Sequence, residues 1–340
     1  MFDNDEWLAR VREDVIDPDR EIVDPHHHLW PTPNRHGIVY NLEDLWRDTD
    51  DGHKVTQTIF MECGAAYRED GPEHLRPVGE TEYVTQMAER TNATPGKATI
   101  AGIIAHADLR LPLDQLDEVL DAHETAAKGL FRGIRHAGPF DASSEHFRIR
   151  PRSPEGLYRD KDFRRGVAHL GERGLTYDTW NYHHQMLDFR DLAAAAPGTV
   201  MILDHFGTPL GVGPYEGKRD ENFEKWKEDL AAIAALPNVY AKLGGLAMPD
   251  NGFGWDGREN PPDSDEFCEA QAKYYRHAIE CFGAERCMFE SNFPVDRLSL
   301  SYRTLWNGLK KIATGFSEHE KNALFAGTAR RVYRIAPPTA

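Results

Sequence analysis

Eight short apolar runs alternate with amphipathic segments along this chain, and that alternation narrows the folds open to it more than any other feature. The strand-like runs are 21–26 (EIVDPH), 54–62, 98–106, 131–136, 174–179, 199–205, 238–244 and 286–292. Helix-like stretches lie at 79–92, 114–127, 160–173, 185–196, 221–236, 265–282, 298–313 and 317–333, with a short one near 42–48. Strands separated by helices pair in parallel, and eight such units close a (β/α)8 barrel. A chain of 340 residues suits one barrel of this kind. The expectation is an α/β protein: a single (β/α)8 TIM barrel, slightly distorted, over 21–335, after an N-terminal arm (1–20) and before a C-terminal tail (336–340). An open doubly wound sheet is the alternative. No Gly-x-Gly-x-x-Gly follows the first run, which weakens a dinucleotide-binding version of it. Segments 137–159, 207–220 and 247–264 follow the fourth, sixth and seventh runs. In a barrel these long βα loops overhang the C-terminal face, as a substrate lid or as simple loop variation.

Composition removes several classes of function. Hydrophobic residues make up 40%, enough for a large core, while the formal net charge of −16 repels polyanions. Neither nucleic acid nor a membrane is an expected partner; a small-molecule substrate is, and self-association stays open. No apolar window approaches a membrane span, and the opening MFDNDEWLAR has no apolar signal core. Cys63, Cys268, Cys281 and Cys287 show no CxxC pairing. Reduced thiols in a cytoplasmic protein are the expectation.

Each run ends on polar groups. In order these are His26 and His28; Glu62; His106; Arg135 and His136; Asp178 with His183-His184 just beyond; Asp204-His205; Lys242; and Glu290-Ser291-Asn292. In a barrel these ends converge on one rim, and buried ionisable groups are costly unless paired or ligated. Side chains two apart on a strand share a side, so His26 and His28 aim at one point while His27 faces away. Two imidazoles at a strand mouth are half of a zinc-type site; a chance surface cluster is the other reading. Arg135 presents a forked donor that suits a substrate carboxylate, or an ion pair with an acid such as Glu62. Trp30, Trp180 and Tyr182 are candidate walls of a substrate site, or plain packing. Lys242 reads as an outward strand residue, with an electrostatic contact at the ring as the alternative.

The segments IVDPHHHLW, FRGIRH, YDTWNYHHQM, VMILDHFGTP, NVYAKLGGL and RCMFESNFPVD resemble, in order, the amidohydrolase superfamily. The resemblance runs from about residue 21 to 333. It is strongest to the amidohydrolase-2 group, which includes pyrone-dicarboxylate and sugar-lactone hydrolases. It implies His26, His28 and His183 as ligands of a divalent metal, with zinc the first choice. It implies His205 beside the reacting water or carbonyl, and leaves His27 and His184 as supporting neighbours.

One departure from the family pattern stands out. Where the group usually carries aspartate in a Ser-Asp-Trp-Pro motif, this chain reads Ser291-Asn292-Phe293-Pro294. An amide cannot take a proton from water at neutral pH, though it can hydrogen-bond and act as a weak ligand. His205 becomes the expected base, since imidazole titrates near working pH; Glu290, Asp296 or Glu62 are the substitutes. The expected function is a hydrolase that opens a lactone or similar cyclic carbonyl compound with activated water. Catalysis falls to His205 and Asn292, and substrate contact to Arg135, Glu62, Trp30 and Tyr182. A non-oxidative decarboxylase and a catalytically silent ligand-binding barrel are the alternatives, the latter because of Asn292.

Overall fold

The computed structural model describes residues 4–35, 37–151 and 153–338. Eight parallel strands follow one another around a single sheet in chain order: β1 (Glu21–His27), β2 (Lys54–Met61), β3 (Thr99–Ala105), β4 (Phe131–Arg135), β5 (Thr176–Thr179), β6 (Val200–Leu203), β7 (Val239–Leu243) and β8 (Cys287–Phe289). The last strand is shorter than the run 286–292. It leaves the ladder before closing the ring, and the segment beyond it pairs with β1 instead. Asn292 N donates to His26 O (3.0 Å) and His28 N to Phe293 O (2.8 Å). The ring is therefore closed by the segment that carries Asn292, and that is where the barrel departs from regularity. Helices Leu42–Thr49, Val78–Asn92, Leu113–Ala127, Lys161–Glu172, Met186–Ala195, Arg219–Ala234, Ser264–Phe282 and Tyr302–Ile312 connect or follow the strands.

Strands covered on both faces must be apolar on both, which is why they read as near-continuous Val, Ile, Leu and Met. Val23, Ile59, Met61, Ile104, Ile202 and Met288 point inward and fill the barrel. Their neighbours Ile22, Phe60, Ile103, Ile134 and Tyr177 point outward, under the helices. Gly133 faces inward on β4 because nothing larger fits: a Cβ there would lie 2.5 Å from Thr176 O.

The stretch expected as one helix over 317–333 comprises Glu318–Asn322, a π-helical turn at Ala323–Gly327, and Thr328–Tyr333. The last piece plugs the bottom of the barrel. Arg330 forks onto Glu21 (2.6 and 2.8 Å) and Gln57 (3.0 and 3.1 Å) at the starts of β1 and β2. Val332 and Tyr333 join the interior side chains. Within the arm, Asp14 O accepts from Asn307 Nδ2 (2.9 Å) and Asp17 O from Lys310 Nζ (2.8 Å), which lays it along the Tyr302–Ile312 helix. Of the tail 336–340, residues 339–340 lie outside the described residues. Among the described residues no helix is long and apolar enough to cross a membrane.

The three insertions are lashed to one another rather than loose. Asp250 accepts from Arg148 N (2.7 Å) and Ile149 N (2.8 Å), and its carbonyl accepts from Gly211 N (2.9 Å). Asn251 Nδ2 donates to Pro209 O (2.7 Å). One short turn, Pro249–Asn251, thus ties segments 137–159, 207–220 and 247–264 into a roof over the C-terminal face. Replacing Asp250 by Ala strips two backbone donors of their acceptor. Limited proteolysis should then cut within 140–155 at least several-fold faster, while the global unfolding midpoint moves little.

Candidate active site

His26 and His28 leave β1 on the inner side and are fully buried. Their Nε2 atoms lie 3.3 Å apart. His28 Nδ1 faces the carbonyl of Met61 at 2.9 Å, so that nitrogen carries the ring proton and Nε2 is left with its lone pair. Burial holds both rings well below the usual histidine range, with neighbouring charges adding to the effect. His27 turns the other way and packs edge-on against Phe60 at 5.8 Å.

Arg135 resolves in favour of the ion pair. Its Nε donates to Glu62 Oε1 (2.8 Å) and its Nη2 to Glu62 O, while Nη1 stands 3.3 Å from His26 Nε2 and 3.7 Å from Asp204 Oδ2. The guanidinium is spent largely on protein partners, yet its edge still forms part of the cavity wall.

Lys242 corrects the expectation that it faces outward. It shares the parity of Tyr240, whose ring packs with the barrel interior, and it is wholly buried. Its Nζ pairs with Asp178 Oδ1 (2.8 Å) and Asp204 Oδ1 (3.3 Å). Tyr333, from the bottom plug, donates its hydroxyl to the same Asp178 oxygen, and Lys242 lies over the Tyr333 ring at 5.3 Å.

His205 is positioned by an unusual exit from β6. His205 and Phe206 both take left-handed backbone angles, φ 55° and 58°, which non-glycine residues adopt only under constraint. Trp226 Nε1 holds the turn through Phe206 O at 2.8 Å. His205 Nδ1 then meets Glu290 Oε1 at 2.7 Å. Gly244 and Gly245 after β7 make room for this pair. A Cβ on Gly245 would come within 2.3 Å of His205 Nδ1, and one on Gly244 within 2.4 Å of Glu290 O. Burial pushes His205 down to about 3, so it stays uncharged through the range in which a free histidine titrates; the same burial raises Glu290 to about 8 against the pull of Lys242.

Asn292, also left-handed at φ 55°, lines the cavity. Its Nδ2 donates to Asp296 Oδ1 (2.8 Å), and Ala247 N donates to Asp296 Oδ2 (3.2 Å). Asp24 proves to be a strut: it accepts from Ser291 N (2.9 Å) and from the Tyr302 hydroxyl (3.0 Å), fixing the chain after β8 to β1.

His183 and Tyr182 do not join this cluster. Beyond β5 the chain folds into a short turn beneath the 207–220 insertion. There His183 Nδ1 accepts from Leu210 N (3.2 Å), and its ring packs on Tyr215 at 5.1 Å. Tyr182 packs with Phe147 and Leu210 in the roof. Trp30 and Trp180 do line the cavity, together with Glu62, Arg135, His205 and Asn292, and its volume is about 620 Å³.

A divalent cation fits this arrangement on its own chemistry. Among the described residues, one trio of possible ligands brings its atoms within 4.8 Å of one another: His26, Asp204 and His205. His26 Nδ1 and Glu290 Oε2 are 2.8 Å apart, and the oxygens of Asp204 are met by Lys242 Nζ at 3.3 Å and Arg135 Nη1 at 3.7 Å, without a well-aligned hydrogen bond among the described residues. Asp178, Asp204 and Glu62 are paired with the fixed cations Lys242 and Arg135, while burial favours the protonated forms of Asp204 and Glu290, so a bound cation would compete with protons for these oxygens. Sequence reasoning missed Asp178, Asp204 and Lys242 as one network. The available signal was one charged residue in or directly after each of three buried strands, β5, β6 and β7.

Comparison with known proteins agrees with this architecture. The profile of a family described as amidohydrolase matches residues 23–335. An uncharacterized protein of Sinorhizobium fredii, y4mH, is 32% identical over 336 residues, spanning 93% of this chain and 99% of that protein. An L-fucono-1,5-lactonase of Burkholderia multivorans is 30% identical over 268 residues, 76% of this chain and 78% of that enzyme. An amidohydrolase from Burkholderia multivorans with bound zinc has the same fold, with a TM-score of 0.71 at 24% identity, covering 93% of this chain and 99% of that one.

The buried lysine offers a direct test of the network. Lys242→Met leaves Asp178 and Asp204 without their cation, and denaturant unfolding should show a loss of about 3–5 kcal/mol. A loss below about 1 kcal/mol would mean that the two acids are neutral by other means.

Proposed function

Since the chain belongs to the amidohydrolase family and is a hydrolase, we propose that it opens a lactone or a similar cyclic carbonyl compound with water activated by His205. The observation that carries this reading is the 2.7 Å contact between buried Glu290 and Nδ1 of His205, which lines the cavity. When Glu290 is ionised, a form that its burial shifts to the alkaline side of neutrality, it accepts from His205 Nδ1–H and leaves the lone pair of Nε2 free for a proton. In this reading His205 Nε2 takes a proton from water as its oxygen attacks the carbonyl. The Arg135 edge, a fixed cation in a water-poor site, stabilises the negative charge that develops on the carbonyl oxygen. Collapse then breaks the bond to the ring oxygen, which receives the proton from His205 and departs as a hydroxyl. The product is a hydroxy acid, one water heavier than the substrate. This assigns the base role to His205 and leaves Asn292, held by Asp296, as a wall that orients substrate.

A divalent metal, zinc by ligand type, would be held by His26 and Asp204 with His28 near His26, and would supply Lewis-acid polarisation of the carbonyl; His205, the third group of the trio, keeps its Nε2 for the proton in this reading. The lactonase relative supports the substrate class, and the gathering of His26, Asp204 and His205 supports the cation.

Two measurements test the reading. On a panel of five- and six-membered lactones, His205→Asn should lower kcat/KM by about 10²–10⁴ while the circular dichroism spectrum is kept. Retention of more than a tenth of the activity would place the base elsewhere, and carbon dioxide in place of a hydroxy acid would replace hydrolysis by decarboxylation. Elemental analysis of protein purified without chelator should find roughly one divalent ion per chain, lost in His26→Ala. Metal-free protein with full lactonase activity would remove the cation from the proposal.

A further inference from the structure

His106 and His136 end β3 and β4, line the same cavity as His205, and have no part in the chemistry above. Their rings are 5.1 Å apart and nearly perpendicular. Each is locked by a backbone partner of opposite kind. His106 Nδ1 faces the carbonyl of Arg135 at 3.1 Å; a carbonyl only accepts, so the proton of this ring sits on Nδ1 and its Nε2 is an acceptor. His136 Nδ1 accepts from Leu109 N at 3.2 Å, so the proton of that ring sits on Nε2, which is a donor.

The backbones carrying the rings are pinned as well. His123 Nε2 meets His106 O at 3.0 Å, the Tyr177 hydroxyl donates to His136 O at 2.9 Å, and the His136 ring rests on Phe163 at 5.1 Å. Around them, Asp108 Oδ1 lies 3.8 Å from His136 Nδ1 and is itself clasped by Arg110. No side chain among the described residues partners either Nε2.

We propose that His106 and His136 form a fixed acceptor–donor pair that reads hydroxyl groups of the substrate, so that the lactones preferred are polyhydroxylated rather than carboxylated or bare. The inference rests on the lactone reading given above. A hydroxyl, or two neighbouring hydroxyls, can donate to His106 and accept from His136 together. A carboxylate only accepts, so it would satisfy His136 but set its charge against the lone pair of His106. A ring without hydroxyls would leave both nitrogens dry and unpaired, at a cost in transition-state binding. The pair thus acts on specificity rather than on bond breaking.

The test compares a panel of six-carbon 1,5-aldonolactones with δ-valerolactone, which has the same lactone ring without hydroxyls, and with a pyrone carboxylate. Wild type should favour the best aldonolactone over δ-valerolactone by on the order of 10² in kcat/KM. His106→Asn and His136→Asn each keep the contact made by Nδ1 and delete the nitrogen facing the cavity, so the fold is retained and checked by an unchanged melting temperature. Each should cut that preference about tenfold while leaving δ-valerolactone turnover within about twofold. If δ-valerolactone or the pyrone carboxylate is hydrolysed as well as the best aldonolactone, or if both variants keep the wild-type ratio, the hydroxyl pair is overturned and the lactone reading stands. If the wild type hydrolyses no lactone of any kind, both are overturned.

Discussion

The interior of this barrel is organised by Lys242. A primary ammonium with no exposure to solvent is tolerated only where carboxylates surround it, and Asp178 and Asp204 do so at 2.8 and 3.3 Å. The pairing fixes Asp204, whose other oxygen faces Arg135 at 3.7 Å and His26 at 3.9 Å. Through Arg135 the chain of charges reaches Glu62, the residue directly after β2. Five strands are therefore tied electrically as well as by their ladders, and the histidines at the rim stand on that base. With charges so dense, the position of each imidazole is set by which neighbour claims its Nδ1: Met61 O for His28, Glu290 for His205, Arg135 O for His106.

Much of this was legible in the residues. Eight apolar runs with intervening amphipathic stretches specify the barrel because a parallel strand buried on both faces has no room for alternation. The His26–His28 pair follows from strand geometry and is found as expected, with His27 behind. What could not be read was how the chain leaves each strand. His183 lies only a few residues past β5, but a tight turn carries it beneath an insertion and away from the other histidines. Period-two reasoning stops where the strand stops. Lys242 was misread for a different reason: its charge argued for solvent, while its parity, shared with Tyr240, pointed inward. The parity was the better guide.

Asn292 illustrates how one position serves fold and site together. It lies in the segment that closes the ring between β8 and β1, in a left-handed conformation that asparagine tolerates well. Its amide satisfies Asp296, a buried acid whose ionisation is strongly opposed by its surroundings. An aspartate there would bring a second acid within 3 Å of the first. The replacement that looks like a loss when read against the family motif is, in the folded chain, what allows two neighbouring side chains to coexist without repulsion.

The tyrosine that reaches up from the bottom plug couples the two ends of the barrel. Tyr333 lies after all eight strands in the chain, yet its hydroxyl completes the shell of Asp178. The central ammonium and its acids therefore have their full set of partners only when that last helix is in place. The electrostatics of the mouth thus depend on a helix seated at the opposite pole of the molecule.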